Sequence, residues 1–141
     1  PGSGPTGGRR VTTARRGEVY EVDFGVGVGR EVSGTHPAVV VSDDPYNVGP
    51  FSLVVIPSPP LSSLYTYRAL GVPVTAAESG MPRDAIFLCY LIRAVDPSRV
   101  GPNPVGQLPA ARMADIDRIL RSILYLHPPT ASGQRPSAPP P

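Results

Sequence analysis

Two periods of apolar and polar residues divide the chain. From Glu18 to Phe24 the strand formers Val19, Tyr20, Val22 and Phe24 interleave with Glu18, Glu21 and Asp23, the pattern of a half-buried strand. Gly25–Gly34 carries four glycines and reads as a mobile loop. Pro37 opens the next strand, where proline is tolerated, and Ala38–Val41 is apolar without a break, which predicts a central strand buried on both faces. Asp-Pro and Gly-Pro turn signals fill Asp43–Pro50. Phe51–Ile56 predicts a third strand, ended by Pro57-Ser58-Pro59-Pro60. Tyr65–Thr75 has room for one or two short strands. Ala85–Val95 reads as one long buried strand stopped by Asp96-Pro97. The period then changes. Met113, Ile116, Leu120, Ile123 and Leu124 share one helical face, Pro109 suits the first turn, and Asp117 with Arg121 forms an i,i+4 pair on the other side. Prolines after His127 end the helix. These elements predict a mainly β fold with a C-terminal helix, a small antiparallel β-barrel capped by that helix.

Composition sharpens the boundaries. A length of 141 residues suggests one domain. Many of the 20 prolines crowd the two ends, together with Gly, Ser and Thr. Residues 1–14 therefore read as a disordered basic arm and 128–141 as a disordered Pro-rich tail, with the folded domain at 15–127. The formal charge of +2 is unevenly spread. Every basic residue is arginine, and the span 17–127 holds eight arginines against eleven acids, a net of −3. Overall charge therefore does not make the body a nucleic-acid binder, and any such contact needs a local arginine patch or the N-terminal arm. The single cysteine, Cys89, excludes an internal disulfide and argues against structural zinc. No apolar run approaches the roughly 20 residues of a bilayer span, and no signal-peptide pattern is present, so the expectation is a cytoplasmic protein without membrane contact.

Several chemistries lack their motif. The run Gly25-Val-Gly-Val-Gly29 has neither the lysine and spacing of a phosphate-binding P-loop nor the spacing of a dinucleotide fingerprint. Asp43-Asp44 is a weak metal signal, no Gly-x-Ser-x-Gly elbow occurs, and neither a metal nor a cofactor is expected. His36 and His127 are the only histidines. His36, at the mouth of the second strand, is the natural candidate for proton transfer near neutral pH. Binding without catalysis and a plain hydrogen-bonding role at the strand start remain open for it.

Four blocks also carry a family resemblance. RGEVYEVDF, beginning at Arg16, resembles the first strand of the MazF/PemK toxin endoribonucleases. GREVSGTHPAVVVS resembles the stretch that leads into that family's Arg-Pro-Ala-Val-Val strand. RDAIFLCYLIRAVDPSRV resembles its later strand and Ile-Arg-Thr-Val-Asp-x-x-Arg element, and LPAARMADIDRILRSILYL its terminal helix. The resemblance spans about residues 15–126. It implies a fold similar to the CcdB gyrase poisons, a homodimer, neutralisation by a cognate antitoxin peptide, and metal-free cleavage of single-stranded RNA. It also implies site residues. His36 stands at the family's arginine position, Glu31 matches the loop glutamate, and Ser58 takes the place of the Thr/Ser after the third strand with a one-residue shift, the strict register falling on Pro59. Cys89-Tyr90-Leu91 replaces a frequent Cys-Asp-Gln. The implied catalytic set is His36, Ser58 and Glu31, with Arg30, Thr35, Tyr65, Tyr67 and Arg68 as RNA contacts. Metal-free cleavage needs a base for the 2′-hydroxyl, an acid for the leaving oxygen and positive charge at phosphorus. Histidine moves protons, whereas arginine supplies permanent charge and a two-pronged phosphate grip. The replacement leaves two other readings: a catalytically impaired binding module that keeps the dimer and the antitoxin groove, and a CcdB-like gyrase poison.

Overall fold

The computed structural model describes residues 14–48, 51–60 and 70–126. Strands β1 (Glu18–Asp23), β2 (Thr35–Val40), β3 (Leu53–Pro57), β6 (Arg93–Val95) and β7 (Gly106–Gln107) form an antiparallel sheet in the order β6-β3-β2-β1-β7. Strands β4 (Gly71–Val74) and β5 (Ala85–Leu88) form a separate antiparallel pair. The helical parts are a one-turn helix α1 (Ala76–Ser79) and the closing helix α2 (Ala110–Ile123). The expected mainly β architecture with a terminal helix is present. No helix described is long and apolar enough to cross a membrane.

The continuous apolar run places β2 in the middle of the five-stranded sheet, and Ala38–Val41 is buried as expected. Alternation then sends side chains to two cores. Tyr20 and Val22 of β1, with Phe24 just after it, join Ala38, Val40, Leu53, Val55 and Val95 on one face. Val19, Val39 and Ile56 face the other way and pack against Val72, Val74, Phe87 and Cys89 around the small sheet and against Ile116 of α2. On that second face β1 continues into the exposed Glu21 and Asp23, so the sheet is covered over only half its length. That uncovered half is where the cavity described below opens.

Three expectations need correction. The run Ala85–Val95 is not one strand. It breaks at Cys89–Leu91 into a turn of 3-10 helix, so β5 pairs with β4 while β6 crosses to the edge of the large sheet. A single straight strand cannot hydrogen-bond in two sheets, and the turn supplies the change of direction. Asp117 does not pair with Arg121. Its carboxylate accepts from Arg16 Nη2 at 2.6 Å, tying the entry of β1 to α2, while Arg16 also donates to the Val41 carbonyl. Ala14, assigned to the N-terminal arm, is buried in the first core. Residues 1–13 and 127–141, which hold nearly all of both expected tails and His127, lie outside the described residues.

The adjacent acids Asp43 and Asp44 have structural work. Asp43 accepts from the Asp44 N–H, and Asp44 accepts from the Arg16 N–H at 2.8 Å. The loop from Gly25 to Gly34 is pinned at its base by Phe24 N–H to Gly34 O (2.9 Å) and Gly34 N–H to Gly25 O (2.8 Å). Val32 inserts from that loop into the first core, where it is fully buried. Gly27 allows the loop to fold on itself, since a Cβ there would lie 2.6 Å from the Glu31 carbonyl oxygen.

Candidate active site

A cavity of about 960 Å³ opens beside the uncovered half of the large sheet. Its walls include Glu21, His36 and Pro37 from β1 and β2, Ser58 and Pro59 after β3, Thr75 and Glu78 at α1, and Arg83 and Arg112. Two of the three expected catalytic residues, His36 and Ser58, therefore border one space. They are neighbours through the backbone, because the Ser58 N–H donates to the carbonyl of Pro37 at 2.8 Å.

His36 is held by the loop before it. Its Nε2 lies 2.7 Å from the Ser33 carbonyl oxygen. A carbonyl oxygen only accepts, so Nε2 carries the hydrogen, and in the neutral ring Nδ1 keeps the lone pair. An imidazole oriented by a backbone carbonyl, with its other nitrogen unbonded among the described residues, has the arrangement a general base requires. Register puts His36 opposite Val22 and Pro37 opposite Glu21, and both His36 and Pro37 line the cavity.

Ser58 is buried, and its Oγ accepts from the Ile86 N–H at 3.1 Å. With its own N–H on β2 and its hydroxyl on β5, this residue links the large sheet to the small one. Its O–H hydrogen is still available to a group in the cavity. Ser58→Ala is accordingly expected to lower stability by about 1–3 kcal/mol, the cost of stranding a buried backbone N–H. Urea unfolding of this variant against Ser58→Thr, which keeps the acceptor, measures that cost apart from any effect on activity.

Glu31 does not join this cavity. Its Oε1 accepts from the Val28 N–H at 2.7 Å and closes the glycine loop, which makes it a loop-shaping residue in this structure. No hydrogen bond connects His36, Ser58 and Glu31 to one another among the described residues. Thr35, at the start of β2, is opposite Asp23, and Arg30 is exposed on the loop with no acid partner among the described residues. Tyr65, Tyr67 and Arg68 lie outside the described residues.

The cavity walls carry mixed charge. Glu78 completes a capping box with Thr75 at the start of α1 and receives Arg112 Nε at 3.3 Å. The Thr75 N–H, and behind it the Arg112 guanidinium, hold the Glu78 carboxyl below the ordinary carboxylate range. Arg112 is divided between Glu78 and Asp115. Arg83 is exposed at the wall and unpaired among the described residues, which leaves it available to an anion. Cys89 is fully buried, and burial pushes its thiol up to about 11, which keeps it protonated and unreactive. Among the described residues, no group of three or more His, Cys, Asp or Glu side chains is placed to hold a metal ion.

Residues 15–124 match the family model described as the PemK-like, MazF-like toxin of type II toxin–antitoxin systems. The chain belongs to this family. It is 30% identical over 118 residues to the endoribonuclease MazF9 of Mycobacterium tuberculosis, covering 79% of this chain and 97% of that protein. Endoribonuclease MazF6 of the same organism is 27% identical over 111 residues, with 79% and 96% coverage. Among solved structures, MazF from Deinococcus radiodurans superposes with a TM-score of 0.68 at 22% identity, covering 81% of this chain and 98% of that one. A mycobacterial endoribonuclease in complex with its cognate antitoxin gives a TM-score of 0.62 at 20% identity, with 83% and 98% coverage.

As a PemK/MazF toxin, this chain has residues at its site that sequence reasoning passed over. Glu78 and Arg112 were legible in part. Thr75-Ala-Ala-Glu78 followed by Gly80 is a capping box with a left-handed stop, and Gly80 adopts φ +77°. Arg112 carried no such signal, because a first-turn arginine on a helix is ordinary until the fold brings it to Glu78.

Proposed function

We propose that the chain is an endoribonuclease toxin that cleaves single-stranded RNA without a metal ion, with His36 as the general base. The observation that carries this reading is the His36 imidazole, fixed through Nε2 to the Ser33 carbonyl in a chain of the PemK/MazF family, with Nδ1 left to accept a proton. In the reaction the ribose 2′-oxygen attacks phosphorus as Nδ1 takes its proton. The bond from phosphorus to the 5′-oxygen breaks, leaving a 2′,3′-cyclic phosphate, and the 5′-oxygen takes a proton from water and departs as a hydroxyl. The Ser58 hydroxyl orients a phosphate oxygen, and Arg83 supplies charge at the cavity wall. The protein acts in the cytoplasm as a homodimer, and a cognate antitoxin peptide neutralises it. The relatives support this reading: two are named endoribonucleases, and one structural neighbour is described as bound to its antitoxin.

The test is direct. Purified full-length protein is incubated with a mixed-sequence transcript in excess chelator. Discrete cleavage products are the expected result. An intact transcript in chelator, with cleavage restored by a divalent cation, would show a metal-dependent enzyme. No cleavage under either condition would favour a binding module that has lost catalysis with the arginine.

A further inference from the structure

Arg93 and Arg99 lie at the end of β1, on the loop side of His36. The Arg93 guanidinium is half-buried over the Phe24 ring, its Cζ 5.4 Å from the ring centre. Among the described residues it makes no ion pair and no hydrogen bond. Arg99 is exposed, and its Nη1 donates to the Asp23 carbonyl at 3.1 Å. It lies so close to Gly25 that a Cβ there would be 3.0 Å from Nη1. Two guanidinium groups without acid partners among the described residues thus border three consecutive residues, 23 to 25. The carboxylates nearby accept from backbone N–H groups and pair with neither arginine. Asp23 Oδ1 accepts from the Gly25 N–H at 2.9 Å, and Glu31 accepts from Val28.

The loop base connects this pair to the catalytic histidine. Gly25 and Gly34 are joined by a 2.8 Å hydrogen bond, Arg99 abuts Gly25, and a Cβ on Gly34 would lie 3.6 Å from His36 Nε2. Arg99 and His36 therefore stand on either side of one pair of residues. The cavity wall carries Glu21, Glu78 and Asp84 together with Arg83 and Arg112, whereas the loop side carries Asp23 and Glu31 together with Arg93, Arg99 and Arg30, three guanidinium groups with no acid partner among the described residues. A polyanionic strand gains from guanidinium groups that no carboxylate already pairs. A guanidinium held over an aromatic ring is also partly pre-organised, with less side-chain entropy to lose on binding than a free arginine.

We infer that Arg93 and Arg99 form a phosphate subsite for the RNA strand, holding a backbone phosphate next to the one attacked at His36. The subsite rests on the ribonuclease reading for its ligand, but its anion chemistry stands on the two arginines alone. In this role Arg93 and Arg99 are positioning residues: they fix the strand and leave proton transfer to His36.

The experiment uses the full chain and a short 2′-O-methylated single-stranded RNA of mixed sequence, which binds but cannot be cleaved. Binding is followed by fluorescence anisotropy over a salt series for the parent, Arg99→Gln, Arg93→Gln and Arg93→Lys. Each glutamine variant is expected to weaken binding about 5- to 10-fold at low salt and to flatten the slope of log K against log salt by about 0.7, the loss of one phosphate contact. Arg93→Lys, which keeps the charge, is expected to retain most of the slope. In cleavage assays the glutamine variants are expected to raise KM with little change in kcat. Parent-like affinity and slope in both glutamine variants would overturn the subsite. If the parent neither binds nor cuts RNA, the ribonuclease reading fails separately, and inorganic pyrophosphate then decides the subsite. Shifts of the Arg93 and Arg99 Nε–H resonances on titration uphold an anion site, and unmoved resonances overturn it.

Discussion

His36→Ala is expected to lower RNA cleavage by about 10²- to 10⁴-fold, the usual contribution of a positioned acid–base group, while the protein stays folded. The reasoning starts from one hydrogen bond. Because Nε2 donates to the Ser33 carbonyl, the ring has a fixed orientation and a fixed tautomer, and Nδ1 is the nitrogen left for chemistry. Alanine removes that nitrogen and costs the loop one hydrogen bond, about 0.5–1.5 kcal/mol, which is small beside the stability of a domain. His36→Arg separates the two jobs a cation can do here. Arginine grips phosphate and cannot take a proton at neutral pH. A His36→Arg enzyme that is as slow as His36→Ala supports proton transfer by His36. One faster than the parent shows that charge at phosphorus was limiting and that the histidine acts as a phosphate contact. Full activity in His36→Ala removes it from the mechanism. Thermal unfolding of each variant alongside the rate distinguishes lost chemistry from lost fold.

Much of the scaffold that holds His36 was legible in the residues. The alternation of Glu18–Phe24, the unbroken Ala38–Val41 and the helical period around Ile116 each correspond to an element of the expected type. These signals are local, and burial enforces them within a few residues. Ala85–Val95 is ambiguous in sequence because its apolar pattern is the same whether it makes one strand or two. Only the pairing of β5 with β4 and of β6 with β3 decides it, and those partners are distant in sequence. The two-residue β7 is too short to show any period. Asp117 illustrates the same limit: the i,i+4 rule offers Arg121, but the fold brings Arg16 to it from 101 residues away. The site divides likewise. His36 stands out as a histidine at the mouth of a strand, Ser58 is implied only by the family resemblance, and both border the cavity. The carboxylate of Glu31 closes its own loop, a use that depends on the backbone path of Gly27 and Val28. Which arginines are left without acid partners was not legible at all, since it depends on where the fold places the acids.

Phe87→Ala is expected to have the largest effect on stability, a loss of about 3–5 kcal/mol. Phe87 is fully buried in β5, opposite Val72 of β4, and belongs to the core shared by the small sheet, the large sheet and α2. Alanine there removes transfer energy and leaves a cavity that the surrounding strands cannot fill, because β4, β5 and α2 are each held by their own hydrogen bonds. For a domain of this size the loss corresponds to a fall in Tm of roughly 15–25 °C. Urea unfolding should show a lower midpoint with an unchanged slope, the sign of lost stability and not of a changed unfolded state. Phe87→Leu, which keeps most of the volume, should lose much less. The consequence reaches the site through Ile86, whose N–H holds the Ser58 hydroxyl. Fraying of β5 would release Ser58 and loosen the cavity wall while leaving His36 and its Ser33 contact in place. At temperatures where the variant remains folded, cleavage should therefore survive. A loss of less than about 1 kcal/mol would mean that the small sheet contributes little to the core, and that Ser58 is fixed by β2 alone.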